Sequence, residues 1–215
     1  MCYTSSMKKG IFIVLEGAEG SGKSTQLQAL KDHYGDSIVT TREPGGTEYA
    51  EDIRSLALKH NLAGDADGKT IFLLMWASRA EHMYNKVTRA LSEGKIVISD
   101  RFDSSTYALN IFGQEQKGLK EYFWQTRKAI LGDTIPDIYV HLDLSPEAGL
   151  VRRSSDTKAQ DHFDKRDLKF HEAVQEGYSE FYTHVPHTRV NADRSIEEIT
   201  KDLIGVVDGL MQSGQ

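Results

Sequence analysis

The chain is short of the residues that would tie it to several classes of protein. It carries one cysteine, Cys2, in 215 residues, which excludes an internal disulfide and a zinc site built from cysteines. Proline occurs four times, and no linker, repeat or low-complexity tract divides the sequence. No apolar run approaches the ~18 residues of a membrane-spanning helix. Lys8 and Lys9 have no apolar segment of signal-peptide length ahead of them. The expectation is therefore a soluble, cytoplasmic protein with no membrane partner. Met7 is an alternative start, and residues 1–8 are expected to form a flexible extension. Positive charge is in deficit too: 26 basic against 32 acidic residues give a net charge of −6. That argues against nucleic acid or an anionic membrane as the main partner. The eight histidines, His60, His82 and His141 among them, show neither metal-ligand spacing nor a nucleophile partner, and are read as ordinary surface or core residues.

What remains is enough to build one sizeable core. With 39% hydrophobic residues, a single domain over residues 1–215 is the simplest arrangement. Apolar, β-rich runs fall at residues 11–15, 37–41, 95–99, 137–142 and 188–190, with helical patterns between them. Such alternation predicts an α/β fold whose parallel sheet is covered on both faces. Ligands then bind beyond the carboxyl ends of the strands, so residues 16–25, 42–47, 100–106, 143–146 and 191–193 are the ones to inspect. Ser145-Pro146-Glu147 marks a helix start. Ser195-Ile196-Glu197-Glu198 is a capping box, followed by Ile199, Leu203 and Leu210 on one helix face. Gly94 and Gly132 suit helix stops. The helical pattern over 70–90 begins with Ile71, Phe72, Leu73, Leu74, Met75 and Trp76. A helix this apolar is buried in its own chain or paired with a partner subunit, and the sequence weighs the two alike.

The strongest chemical signal is Gly17-Ala18-Glu19-Gly20-Ser21-Gly22-Lys23-Ser24-Thr25. It fits G-x-x-x-x-G-K-[ST] and lies between an apolar strand and a helical pattern of Leu27, Leu30 and Tyr34. Glycines let successive backbone N–H groups turn toward an anion, and the helix N-terminus adds its positive dipole end. Lys23 supplies a cation for phosphates, and the Ser24 hydroxyl can ligate Mg²⁺. After the second strand, Arg42-Glu43-Pro44-Gly45-Gly46-Thr47 forms a stiff, close-approaching turn with Arg42 able to reach a phosphate and Arg54 further along; a plain turn with surface arginines fits as well. Asp100-Arg101-Phe102 follows the third strand. An acid there can hold Mg²⁺ and the arginine can neutralise a transferring phosphoryl group, although a structural ion pair is the competing explanation. Arg79 sits inside the apolar 70–90 helix and needs a partner, either an anionic substrate or a buried carboxylate. Residues 152–166 carry Arg152, Arg153, Lys158, Lys165 and Arg166, the composition of a lid over phosphates or of a solvated loop.

Taken in order, these blocks resemble those of thymidylate kinases from about Lys9 to Leu210. The resemblance rests on the P-loop with Glu19, the Arg42 to Thr47 turn, Asp100-Arg101-Phe102 with Ser105, and Pro136-Asp137 leading to Leu142-Asp143-Leu144-Ser145-Pro146-Glu147. It implies a three-layer P-loop NTPase fold with a five-stranded parallel sheet, and transfer of a phosphoryl group from MgATP to dTMP by a homodimer. By the same resemblance, Gly17, Ala18, Glu19, Gly20, Ser21, Gly22, Lys23, Ser24 and Thr25 cradle the ATP phosphates. Asn191 and Ala192 lie against adenine, and Ser24 and Asp100 hold Mg²⁺. Glu19 meets the deoxyribose 3′-hydroxyl, and Arg42, Arg54 and Arg101 surround the acceptor phosphate near Pro44. Arg79 bonds the thymine edge, with Ser105 and Thr106 as the polar wall of the base pocket. Gly20 follows Glu19 where some family members have arginine, which assigns the catalytic cation to Arg152 or Arg153.

Departures lie in the acceptor pocket. Met75 stands where phenylalanine usually stacks on the base, Ala108-Leu109-Asn110 replaces Ala-Tyr-Gln, and Asp161-His162-Phe163-Asp164 carries histidine for arginine, with Phe163 still assigned to the acceptor. One stacked ring contributes about 1 kcal/mol beyond its burial. Two alternatives follow: a kinase with relaxed base choice that takes dUMP or a 5-substituted pyrimidine deoxynucleotide, or a P-loop switch without chemistry. No covalent nucleophile is expected, because the acceptor is itself an ionised phosphate oxygen.

Overall fold

Every apolar run becomes a strand. The computed structural model describes residues 10–18, 20–144 and 168–213. The extension over 1–8, the helix start at Ser145-Pro146-Glu147 and the lid segment 152–166 lie outside them. Among the described residues, in chain order, β1 (Ile11–Gly17), α1 (Lys23–Tyr34), β2 (Ile38–Arg42), α2 (Glu48–Arg54), α3 (Gly68–His82), α4 (Thr88–Ser92) and β3 (Ile96–Asp100) make the first half. α5 (Asp103–Thr106), α6 (Lys120–Leu131), β4 (Ile138–Asp143), α7 (Leu168–Tyr182), β5 (His187–Asn191) and α8 (Ile196–Ser213) make the second. The strands form one five-stranded sheet in the order β2-β3-β1-β4-β5, parallel throughout.

The strands reach further toward the site than the apolar runs alone indicate. Polar residues past each run still join the ladder, so Arg42 pairs with Asp100, Glu16 with His141 and Gly17 with Leu142, and Asp143 with Asn191. Hydrogen bonding, not hydrophobicity, sets where a strand ends. The register thus brings the chemistry-bearing residues of β1, β2 and β3 to one edge of the sheet.

Alternation along β1 sends Phe12 and Val14 to one face and Ile13 and Leu15 to the other, and both faces are buried. The first face packs on Ile71, Phe72, Met75 and Trp76 of α3, on α6 and on α7. The second packs on Leu30 of α1 and on Ile199, Leu203 and Val207 of α8. At about 1.5–3 kcal/mol per fully buried large apolar side chain, these layers hold the sheet edge rigid. The capping box forms as its sequence indicates: Glu198 N donates to Ser195 Oγ at 3.2 Å and Ser195 N to Glu198 Oε2 at 3.1 Å. The helix expected over 70–90 runs as α3, a wider π-helical turn (Met83–Val87) and α4. One side of it is core, while Leu73 and Tyr84 are 65% and 71% exposed.

Candidate active site

The loop between β1 and α1 is shaped for an anion. Gly17 has φ of 148°, and a Cβ there would lie 2.8 Å from the Leu142 carbonyl oxygen, so no larger residue fits. Gly22 caps α1 in a left-handed conformation with no side chain bonded to the helix start. The first-turn N–H groups are therefore not capped from within the chain, which is the arrangement that receives a phosphate. Lys23 is 7% exposed, and its Nζ donates to the carbonyls of Gly17 (2.8 Å) and Ala18 (3.1 Å), which keeps the ammonium over the loop. Ser21 is buried, and its Oγ has no hydrogen-bond partner. Gly20 belongs to the same loop; Glu19 lies outside the described residues.

Beside the loop is a cleft of about 550 Å³, lined by Ser24, Thr41, Arg42, Thr47, Lys86 and Asp100 among others. Arg42 is paired with Glu51 at 2.9 Å on the rim, its side chain 56% exposed. An ion pair this open adds little stability and leaves the guanidinium available to the cleft. Asp100 Oδ1 is buried without a partner. A carboxylate oxygen in that condition, sharing a cleft with a serine hydroxyl, is the hard oxygen donor set that suits Mg²⁺. The described residues contain no cluster of three or more His, Cys, Asp or Glu side chains able to hold a metal by themselves. That matches a cation whose remaining ligands are water and phosphate. Thr25 is exposed at the start of α1. On the far side, Ala192 is buried and donates its N–H to the Asp143 carbonyl, while Asn191 Oδ1 accepts from Asp193 N.

The second half of the site is built around Arg79, 2% exposed. Its Nε donates to Glu43 Oε2 at 2.7 Å and its Nη2 to Thr106 Oγ1 at 3.0 Å. Its plane lies 4.4 Å from the Trp76 ring centroid and 5.0 Å from that of Phe102. Of the two partners foreseen for it, the buried carboxylate is present in Glu43. A buried carboxylate satisfies one edge, yet Nη1 is buried with no partner, a costly state for a charged donor unless a ligand fills it. Met75, one turn earlier on α3, is buried in the core. Leu109 is half-buried against the same core, and Asn110 donates to Gln114 Oε1 at 2.9 Å. Arg54 reaches back to the turn and donates to the Pro44 carbonyl at 2.8 Å.

Arg101 has φ of 65°, a left-handed conformation that a residue other than glycine holds only when its surroundings enforce it. Its N–H donates to the Leu15 carbonyl at 2.9 Å and its carbonyl accepts from Ser99 Oγ at 2.7 Å, and the next residue is held by Glu16. This fully buried carboxylate accepts from Phe102 N (3.2 Å), Ser104 Oγ (2.6 Å), Ser105 Oγ (3.0 Å) and Tyr178 Oη (3.1 Å). It also lies 3.7 Å from Arg101 Nη1. Burial, and then the Glu16 charge, pushes the Tyr178 hydroxyl pKa well up, so it stays a donor. The Ser105 hydroxyl is bonded to Glu16 and Tyr178, while Thr106 Oγ1 accepts from Arg79.

Sequence reasoning inspected the stretches holding Glu16, Glu43 and Asp103 but gave these residues no role, and it read His82 as an ordinary surface or core residue. Asp103 accepts from Arg127 Nε and Tyr139 Oη, both at 2.6 Å, and pins the helix that carries Ser104 to Thr106. Polar residues placed at the end of buried strands, as Glu16 is, were the available signal. Arg152, Arg153 and Phe163 lie outside the described residues.

A glycine-rich loop at the end of β1, an aspartate at the end of β3 and a buried arginine on α3 are the arrangement expected of a P-loop nucleoside monophosphate kinase. The model of the thymidylate kinase family matches residues 15–203. The chain is 37% identical over 212 residues to the thymidylate kinase of Bacillus licheniformis, covering 96% of this chain and 99% of that one. It is 38% identical over 214 residues to that of Bacillus velezensis, with the same coverage. The crystal structure of thymidylate kinase from Ehrlichia chaffeensis matches with a TM-score of 0.71 at 29% identity, covering 93% of this chain and 99% of that one. The chain belongs to the thymidylate kinase family.

Proposed function

We propose that the chain transfers the γ-phosphoryl group of ATP directly to dTMP, giving ADP and dTDP, as one domain. The observation that carries this reading is the unpartnered, buried Nη1 of Arg79. A switch that binds one nucleotide has no use for a second buried cation with a donor left over, whereas a kinase must orient an acceptor. Family membership favours dTMP over the shifted base choice raised by Met75, Leu109 and Asn110. Lys23 and the amides of the loop would neutralise the donor phosphates, and Arg42, Arg54 and Arg101 the acceptor phosphate. Ser24 and Asp100 would hold Mg²⁺, which when bound supplies charge neutralisation on the phosphate oxygens. By family resemblance, Glu19 would meet the deoxyribose, Phe163 the acceptor, Arg152 or Arg153 the transferring group, and Asn191 and Ala192 the adenine.

Tyr49 and Leu56 of the α2 region and Leu73 and Tyr84 of the adjoining α3 region are more than half exposed. Apolar side chains on two packed helices support a homodimer through that face. A cytoplasmic location goes with the reading, since ATP and dTMP are cytoplasmic metabolites; no helix among the described residues is long and apolar enough to cross a membrane. A coupled assay of ADP release, run with dTMP, dUMP and dGMP in turn, tests the reading. Release that depends on the acceptor and is highest in kcat/KM for dTMP is expected. Release at the same rate without any acceptor contradicts it.

A further inference from the structure

Glu43 is held at both oxygens, and the second hold is the unexplained one. Oε2 accepts from Arg79 Nε at 2.7 Å, while Oε1 lies 2.8 Å from Nδ1 of His82. His82 is fully buried, and its other nitrogen, Nε2, lies 2.7 Å from Thr41 Oγ1. A carboxylate facing a guanidinium only accepts, so Nδ1 carries the proton toward Glu43. The Thr41 hydroxyl then completes the ring at Nε2. The turn closes over this pair. A Cβ on Gly46 would lie 2.7 Å from both His82 Cδ2 and Thr41 Oγ1, Gly45 N donates to Ser78 Oγ at 3.0 Å, and Lys86 Nζ donates to the Gly46 carbonyl at 3.2 Å.

An ion pair that served stability alone would need only Glu43 and Arg79. With one partner the carboxylate can rotate about its terminal torsion, which loosens the hold on Nε and leaves the guanidinium to Thr106 and the Trp76 and Phe102 rings. With a partner on each oxygen its plane is fixed, and that completes the hold on the direction of the unpartnered Nη1. We propose that His82 is a positioning residue for acceptor recognition, acting through Glu43 to aim Arg79 at the base of the bound nucleotide. The chain Thr41–His82–Glu43–Arg79 spans β2, the turn after it and α3, so the strand end and the helix carrying Arg79 move as one body. The inference rests on the reading that Arg79 addresses the acceptor.

Two substitutions of similar shape separate the links. His82→Asn keeps an amide donor near the place of Nδ1, facing Glu43. His82→Gln moves the amide toward Thr41 and leaves Glu43 Oε1 without its partner. Steady-state kinetics on the full chain should show KM for dTMP raised about tenfold in His82→Gln, the scale of loss seen when a group that orients a ligand is removed. His82→Asn should stay near the parent value, and KM for ATP should be unchanged in both. In an Arg79→Met background, His82→Gln should add nothing further, because effects along one chain of contacts are not additive. Any of four results overturns the proposal: no rise in His82→Gln, an equal loss in His82→Asn, KM for ATP raised alongside that for dTMP, or full additivity with Arg79→Met. Should His82→Gln not accumulate as folded protein, Glu43→Gln asks the same question one link along, and an unchanged KM for dTMP there overturns the proposal. If Arg79→Met itself leaves KM for dTMP unaltered, it is the assignment of the acceptor site that fails, and the relay fails with it.

Discussion

Asp100 ends β3 and His141 lies two residues before the end of β4, and burial acts differently on the two. Asp100 keeps an unpartnered oxygen beside Ser24. Asp100→Asn keeps the shape and removes the charge, so kcat should fall about a hundredfold, with a higher Mg²⁺ concentration needed for half-maximal rate; a Mg²⁺ titration of both proteins checks this. For His141, burial, followed by the charge of Arg189, lowers the pKa from 6.5 to about 4. The native ring is therefore neutral where the unfolded chain already binds a proton. Stability from this residue is complete above pH 6.5 and is lost as pH falls toward 4, on the order of 3 kcal/mol in all. His141→Gln should flatten the stability curve in that window when unfolding is followed by urea titration at several pH values. Residues of this kind differ in how far they can be read beforehand. Lys23 and Asp100 could be singled out beforehand because one closes the glycine-rich loop after β1 and the other ends β3. Glu16 and Glu43 could not, because their partners are remote in the chain: Tyr178 lies 162 residues from Glu16 and Arg79 lies 36 from Glu43. Only folding brings those groups together.

At the scale of elements, apolar periodicity was enough to place the strands, and caps marked a few helix ends, such as Ser195 and Gly132. The capping box at Ser195 formed as expected, and Ser195→Ala should lower stability by about 1 kcal/mol, measurable as a shift of the urea midpoint at constant slope. What the sequence could not convey is how closely elements approach. Gly177 looks like a weak point inside α7, where alanine ordinarily gains about 1 kcal/mol. Yet a Cβ there would lie 2.8 Å from the Cα of Ala108 and 3.0 Å from Phe112. Backbone cannot yield as a side-chain tip can, and overpacking costs about 1–3 kcal/mol. Gly177→Ala should therefore destabilise the protein in the same urea titration; a gain would contradict the close packing of α7 on the helix after Thr106. The π-helical turns that interrupt α3 to α4 and follow α5 were equally hidden, since a widened turn leaves the apolar spacing almost unaltered.

For the molecule as a whole, the order β2-β3-β1-β4-β5 sets the loop after β1 and the turn after β2 on either side of the end of β3, and the sequence gives no hint of strand order. The exposed apolar face of the α2 and α3 regions is the other feature at this scale. On the proposal of a homodimer through this face, Leu73→Glu should give monomers in sedimentation equilibrium and leave the fold unchanged, because the side chain is 65% exposed and lies outside the core; a parent protein that is itself monomeric would contradict the proposal. The account as a whole stands on direct transfer between two nucleotides held at one sheet edge, with no covalent enzyme intermediate. ATP made chiral at the γ-phosphorus with oxygen isotopes tests this most directly when the dTDP formed is analysed for configuration. Inversion at phosphorus is the predicted result, and retention, the mark of a phosphorylated enzyme, would contradict it.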